Sequence, residues 1–492
     1  MDSVFSSFNL SRERYKEIIY IFLIVSYLGL SILIFPLKYI FLAILCFLLG
    51  LIIFHRFEWA LFFTIGFMPV TRFPGITEYV QPFQYLLLIL VLLSWFTKKI
   101  LSEDKRGFIK DNPNNLFIIL FGLLILVTSI SSIEPGLTVK AAITHFVIFG
   151  YLYLFLDIFR SEYYMKRAVY LLILSAVFVS SIAILQYLVV QFKILTGLQR
   201  FLLPPVHRQF VSYGYGYQSL FTMGGYRSVG TFYHPNLLGI YLAMIFPFTI
   251  SLLFYLKERR IIFALSALTI LAGLFCSGSR GGFLNLLVSN VILFVAYRKR
   301  VPVRIIFIFL LLLISIVVVF SQQLIPYFRL IEGISFRDII WNNTLEIIRH
   351  NPLLGTGLGT FSLNYIRKFG FPSVIDLETI LDEIAIVGSS ESMVGFTAHN
   401  LFLNYAAEMG LFAAILMLFF YLVYIKKAFN VFFKKNNYNF NYAIFIGTTA
   451  SIIGNFAHTF FEASINFNYF SIGIIFILIL SMGIIFMLNY AR

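Results

Sequence analysis

Three short stretches hold the side chains best suited to chemistry. "SGSRGG" (277–282) sets Arg280 among serines and glycines, between two apolar runs. "RSVGTFYHPN" (227–236) places Arg227 just ahead of Pro235 and Asn236, which read as a helix start. "AHN" (398–400) puts His399 at the mouth of another apolar run. A guanidinium can fork onto two phosphate oxygens at once, and a helix start offers backbone amides and a positive dipole end. Arg227 is therefore a candidate phosphate ligand, with pairing to lipid headgroups as the plainer alternative. Beside Arg280, Gly278, Gly281 and Gly282 allow close backbone approach, and Ser277 and Ser279 supply hydroxyls; an anchor for a helix end is the plainer role. An imidazole titrates near neutral pH, so His399 is either a candidate base or a structural histidine. His399, Asn400, Leu403, Asn404 and Glu408 are spaced to line one side of a helix. His458 and Glu462, four apart at the end of a later run, form a second polar pair.

These residues sit in an unusually apolar chain. Of 492 residues, 60% are hydrophobic and 12% charged, and the mean hydropathy is +0.91. Soluble domains carry about 25% charged residues, so the composition implies a polytopic membrane protein. A transmembrane barrel would alternate apolar and polar residues; solid apolar blocks predict an all-α fold. A bilayer core needs roughly 20 apolar residues per helix. Fourteen apolar segments can be marked, with twelve spans as the alternative count: 18–35, 37–54, 57–70, 79–97, 116–133, 139–157, 168–192, 234–256, 261–277, 282–297, 305–321, 397–425, 441–460 and 469–489. The polar N-terminus "MDSVFSSFNLSRERYKE" does not read as a cleaved signal peptide. The two cysteines, Cys46 and Cys276, lie inside apolar runs, so neither a disulfide framework nor a thiolate metal site is expected.

The net charge of +15 could suggest nucleic acid, but the lysines and arginines sit between apolar blocks, as topology determinants do. Alternate connections carry Arg12, Arg14 and Lys16; Arg56; "KKILSEDKRGFIK" (98–110); Arg160, Lys166 and Arg167; "KERR" (257–260); "RKRVPVR" (298–304); and the lysine pairs at 426–427 and 434–435. The short connections between them hold only Lys38, Arg72, Lys140 and Arg280. Both termini are thus expected in the cytoplasm and two long loops outside. The chain divides into an N-terminal bundle of seven spans (1–192), a first outer loop (193–233), spans bracketing the SGSRGG turn (234–321), a second outer loop (322–396) and C-terminal spans (397–492). Arg280 then falls at an outer rim, where it can snorkel rather than incur the cost, about 2.5–3.5 kcal/mol, of a lipid-exposed mid-helix arginine.

Loop 193–233 carries Lys193, Arg200, His207, Arg208 and Arg227 and no acid, which attracts anions. Its "YGYGY" (213–217) could stack on sugars or form an interfacial aromatic belt. Loop 322–396 mixes charges. Within it Phe336, Ile339, Ile340, Leu345, Ile347 and Ile348 alternate helically with Arg337, Asp338, Asn342, Glu346 and Arg349, predicting an amphipathic helix on the outer leaflet that ends at Asn351-Pro352. "GTGLGTF" (355–361) has no preceding strand and no lysine, so it reads as a glycine-rich turn and not a nucleotide loop.

No HExxH, cysteine pair, Walker motif or GxSxG elbow occurs. The first outer connection, around 36–38, is too short for the acidic metal-binding motif expected of oligosaccharyltransferases and mannosyltransferases. Metal-dependent catalysis is therefore not expected, and no cofactor is implied. Taken in order, "RSVGTFYHPNLLG" (227–239), "SGSRGGFL" (277–284), "FRDIIWNNTLEIIRHNPLLGTGLGTF" (336–361) and "AHNLFLNYAAEMGL" (398–411) resemble the O-antigen ligase and O-antigen polymerase superfamily of bacterial envelope enzymes, over about residues 200–425. The resemblance implies a many-helix membrane bundle of the GT-C type with an outward active site. It also implies transfer of a glycan from undecaprenyl pyrophosphate to another sugar hydroxyl, without metal or nucleotide. The family's two functional arginines fall on Arg227 and Arg280, its functional histidine on His399, and a further recurrent loop arginine on Arg337.

On these grounds His399, Arg280 and Arg227 are the expected catalytic residues, and Arg337, Asn236, Asn400, Ser279 and His234 the expected substrate-binding ones. The expected partners are the lipid-linked oligosaccharide donor, a glycan acceptor, membrane lipids and a chain-length regulator protein, with no nucleic acid. The expected location is the bacterial inner membrane. Fourteen spans and sizeable outer loops favour a polymerase, whose acceptor is a second lipid-linked repeat unit, over a ligase, whose acceptor is lipid A core. A transporter or flippase of lipid-linked glycans is the alternative from another class. Against it, no clear internal repeat is present and the polar residues gather at the outer rim rather than the midplane.

Overall fold

A computed structural model of the chain describes residues 48–71, 77–101, 115–191, 221–222, 225–232, 234–298, 337–369, 397–434, 439–463 and 470–491. Among them, 48–63 with 87–101 form one compact unit and the rest a second, larger one. The second unit carries the candidate site.

The described helices are α1 (Phe57–Phe67), α2 (Thr77–Leu101), α3 (Asn115–Ile130), α4 (Pro135–Ile158), α5 (Glu162–Gln191), α6 (Pro235–Tyr255), α7 (Arg260–Ser277), α8 (Arg280–Tyr297), α9 (Arg337–His350), α10 (Phe361–Phe369), α11 (Leu401–Met409), α12 (Leu411–Lys434), α13 (Phe440–Thr459) and α14 (Phe470–Ala491). One small departure from the all-α expectation is an antiparallel pairing of β1 (Phe221–Thr222) with β2 (Gly225–Tyr226), just ahead of Arg227.

Helix α6 is the axis of the larger unit, packing on α5, α7, α8 and α13. It is apolar on every side, as a helix surrounded by others must be, and 83% of its spanning window is buried. Lipid tails are as apolar as its neighbours, so close packing and interhelical hydrogen bonds, not exclusion of water, hold it. One such bond joins Tyr241 Oη of α6 to Ser175 Oγ of α5 at 2.7 Å.

Among the described residues eight helices are long and apolar enough to cross a membrane, or nine if one bent pair is a single span. The protein is a multi-pass membrane protein, but three features of the fourteen-segment expectation change. Residues 397–425 are not one continuous segment. Gly410, at φ +84°, breaks them into α11 and α12, and a Cβ there would collide with the Leu353 carbonyl. Segments 37–54 and 57–70 were expected as two spans; the described part, Leu48–His55 and Phe57–Phe67, is a single pair bent by 104° at Arg56. Helix α13 has the length of a span, yet it is absent from the eight, because Thr448, Thr449, Ser451, Asn455 and His458 make it polar while remaining buried. Segments 18–35 and 305–321, and "YGYGY", lie outside the described residues.

The predicted amphipathic helix is α9, which ends at His350 just before Asn351-Pro352. It packs on α11 through Ile340, Ile347 and Ile348 against Ala406 and Ala407. The glycine-rich stretch after it is a bracket between helices. Gly355, Gly357 and Gly359 all take positive φ. Thr356 N donates to Ala407 O at 3.0 Å, Gly357 N to Glu408 O at 2.8 Å, and Ile133 N to Thr356 O at 3.0 Å.

Candidate functional site

Arg227 is fixed by the strap that leads from β2 into α6. Ser228 N donates to Cys276 O at 2.8 Å. Gln186 of α5 holds the strap from both sides: its Nε2 donates to Gly230 O, and its Oε1 accepts from Val229 N and Gly230 N. Thr231 Oγ1 donates to Pro69 O at 2.7 Å. Residues 226–232 of the strap are buried, and Arg227 is only 1% exposed. A buried guanidinium is costly unless hydrogen-bonded. Here Nε donates to Ser277 O at 3.0 Å and Nη2 to Asn236 Oδ1 at 2.8 Å.

Asn236 sits in the first turn of α6, whose N-cap is His234: the ring Nδ1 accepts from Asn236 N at 3.1 Å. The Asn236 amide passes the contact on, its Nδ2 donating to Glu462 Oε2 at 2.9 Å. Glu462 lies just past the end of α13, where its N bonds His458 O at 3.1 Å. Its other oxygen, Oε1, is 3.0 Å from His399 Nδ1, and Arg337 Nη2 of α9 is 3.7 Å from Oε2. Arg227, Asn236, Glu462, His399 and Arg337 thus form one continuous polar chain. Burial alone would push the Glu462 carboxyl up, but the His399 imidazole and the Arg337 guanidinium outweigh it and hold the group well below the usual carboxylate range.

His399 takes a left-handed backbone conformation, φ +49°, which costs a non-glycine residue on the order of 1 kcal/mol and persists where surroundings enforce it. Asn400, the next residue, caps α11 by accepting from Phe402 N and Leu403 N, both at 3.0 Å. Its Nδ2 donates to Phe460 O at 3.1 Å, tying the cap to the end of α13. Trp341 Nε1 of α9 donates to Ala398 O at 3.0 Å on the other side.

Arg280 begins α8 and is half-buried, three residues after the carbonyl that Arg227 grips. The intervening turn is made by Gly278 at φ +56° and by Ser279, whose buried hydroxyl accepts from Gly282 N at 3.2 Å as the α8 N-cap. The structure therefore joins Arg227, Asn236, Glu462, His399 and Arg337 directly, and seats Ser279 and Arg280 on the adjoining turn. The side chains of His234, Ser279 and Asn400 serve as helix caps. Asn404 and Glu408 do not share the side occupied by His399. Asn404 Oδ1 accepts from Ala398 N and Glu408 Oε1 from Phe361 N at 3.2 Å, so both brace backbone. Sequence marked Glu462 only as one of a polar pair with His458 and did not reveal its bonds to Asn236 and His399. The signal was an acid at the end of an apolar run, where ionisable groups are rare.

All of these groups gather at one end of the bundle. Lys166 and Arg167 open α5, and Arg260 opens α7, at the opposite end. Among the described residues, three guanidinium groups stand against one carboxylate there, a positive balance suited to an anion.

Residues 265–418 match the family model described as O-antigen ligase. That stretch contains Arg280, Arg337 and His399, whereas Arg227, Asn236 and Glu462 lie outside it and reach it through the bonds above. No curated protein matches the chain.

Proposed function

We propose, from the match of residues 265–418 to the family model described as O-antigen ligase, that the protein is a membrane glycosyltransferase of the O-antigen ligase/polymerase superfamily. It moves a glycan from an undecaprenyl-pyrophosphate donor to a sugar hydroxyl, with inversion and without a metal. The observation that supports this reading best is the bonded chain from Arg227 through Asn236 and Glu462 to His399. It puts an anion-binding guanidinium and a proton-accepting imidazole in one rigid frame.

Arg227 and Arg280 hold the pyrophosphate and neutralise charge as it leaves. The acceptor hydroxyl oxygen attacks the anomeric carbon from the face opposite the pyrophosphate. The bond from that carbon to the phosphate oxygen breaks, and its electron pair departs with undecaprenyl pyrophosphate. The hydroxyl proton passes to His399. Because Nδ1 faces Glu462, Nε2 is the nitrogen that meets the hydroxyl, and the carboxylate stabilises the imidazolium that forms. Arg337 and the polar groups of Asn236, Asn400, Ser279 and His234 shape the walls around the substrates. The basic clusters at the far end of the bundle support a periplasmic placement of this site, with both termini cytoplasmic.

The long connections 193–233 and 322–396 favour a polymerase, whose acceptor is another lipid-linked repeat unit. A ligase acting on lipid A core is the second reading, favoured by the description of the matching family. Purified protein incubated with lipid-linked repeat units decides among the possibilities. A ladder of products supports the polymerase, whereas product formed only on adding lipid A core supports the ligase. No transfer to either acceptor would overturn the proposal in favour of a transporter.

A further inference from the structure

Helices α8 and α13 run antiparallel in a tight seam of small residues. Two turns below the site, Ser289 Oγ donates to Ala450 O at 3.0 Å. One turn up, Asn285 and Ser289 press on Gly454 so closely that no Cβ would fit. One further turn up, the register delivers His458 against Gly281 in the first turn of α8: a Cβ on Gly281 would lie 2.6 Å from both Cδ2 and Nε2 of the ring. The imidazole is pinned there at 1% exposure, and neither ring nitrogen has a hydrogen-bond partner among the described residues. Leaving a buried polar group unsatisfied is unfavourable, and a phenylalanine would fill the same space without that penalty. The position is also special: Glu462 is the next turn along, bonded through its N to His458 O, and Arg280 is the residue before Gly281.

We propose that His458 is a further substrate-contacting residue, its imidazole N–H and the first turn of α8 together binding a phosphoryl oxygen of the donor's pyrophosphate. The proposal rests on the lipid-pyrophosphate reading above and adds to it a neutral donor at the α8 terminus. The positive dipole end of an 18-residue helix favours an anion. A neutral imidazole supplies a hydrogen bond there without adding another positive charge beside the arginines. Bound phosphate oxygen satisfies the ring, so the donor recovers on binding what the empty site forgoes.

The test uses full-length protein in detergent, labelled with 15N at its 7 histidines and titrated with inorganic pyrophosphate. The ring signals lost in His458→Gln identify His458. A saturable shift of those signals is expected, and in transfer assays His458→Phe should raise the donor KM about tenfold while leaving the acceptor KM unchanged. His458→Gln, which keeps an N–H donor, should restore most of the loss; a merely structural role would move thermal stability without this split. If pyrophosphate shifts other histidines but not His458, this inference fails while the pyrophosphate site stands. If pyrophosphate binds nowhere, both fail, and the NMR arm decides even where the phenylalanine variant does not fold.

Discussion

His399 and Glu462 are 63 positions apart in sequence, yet Nδ1 of the one lies 3.0 Å from Oε1 of the other. A carboxylate on one ring nitrogen selects the tautomer and fixes the ring plane, so the opposite nitrogen is aimed for proton transfer. The same carboxylate receives Asn236 and, through it, Arg227. Whatever holds Glu462 therefore sets the geometry of both His399, the proposed base, and Arg227, the proposed pyrophosphate ligand.

Glu462→Gln keeps the shape and removes the charge. Turnover is expected to fall on the order of 100-fold, because the imidazolium formed during transfer loses its counter-charge. Its effect on stability follows from linkage. The folded-state carboxyl is held below its ordinary value, so its stabilisation is present above the ordinary carboxylate range and disappears as pH falls through the folded value. Thermal denaturation in detergent should show the variant less stable than the native protein at pH 7, with the gap narrowing in acid. Equal melting temperatures at pH 7 would contradict the buried ion cluster.

Arg227→Lys tests the fork. Lysine cannot span Ser277 O and Asn236 Oδ1 as the guanidinium does. The loss of buried hydrogen bonds should destabilise the protein by about 1–3 kcal/mol as well as weaken the donor KM. Arg280→Lys should weaken donor use comparably with a smaller loss of stability, since Arg280 is half-buried. Parallel melting and donor-titration curves for the two variants check the distinction.

Glu408 makes the protein sensitive to pH away from the proposed chemistry. Burial pushes its carboxyl up to about 7, against the opposing hydrogen bonds from Gly359, Phe361 and Asn404. Because the folded value exceeds the ordinary one, its favourable contribution is complete below the ordinary carboxylate range and is lost as pH rises through about 7. The melting temperature should therefore decline between pH 5 and pH 8 more steeply in the native protein than in Glu408→Gln. Superimposable profiles would refute the assignment.

Gly410→Ala should cost about 1–3 kcal/mol, since the backbone there is left-handed and a Cβ meets the Leu353 carbonyl. Chemical denaturation would measure it. No loss of stability would mean that the break between α11 and α12 tolerates side chains.

Much of this arrangement was legible in the sequence because it is local. The start of α6 follows from Pro235 and Asn236, and α9 stops where Asn351-Pro352 demands. The amphipathic period of α9 was legible, but its partner was not: Ile340, Ile347 and Ile348 pack on Ala406 and Ala407 of α11 rather than on the outer leaflet. What sequence could not give was long-range pairing. Glu462 bonds Asn236 from 226 positions away, and no local pattern encodes that. Hydropathy also misled where a helix turns without changing composition: Gly410 interrupts an apolar run whose average value barely moves. Helix α13 shows the converse, a span-length helix whose polar side chains are buried, Asn455 accepting from Tyr421 of α12 and His458 lying against Gly281 of α8.

The most direct test of the proposed site is the initial rate of glycan transfer from a lipid-pyrophosphate donor by purified native protein, His399→Ala and Arg280→Ala. A fall on the order of 100-fold or more is expected for each variant, with the fold intact by melting temperature. Near-native turnover in either variant would contradict the assignment of His399 and Arg280 to the reaction.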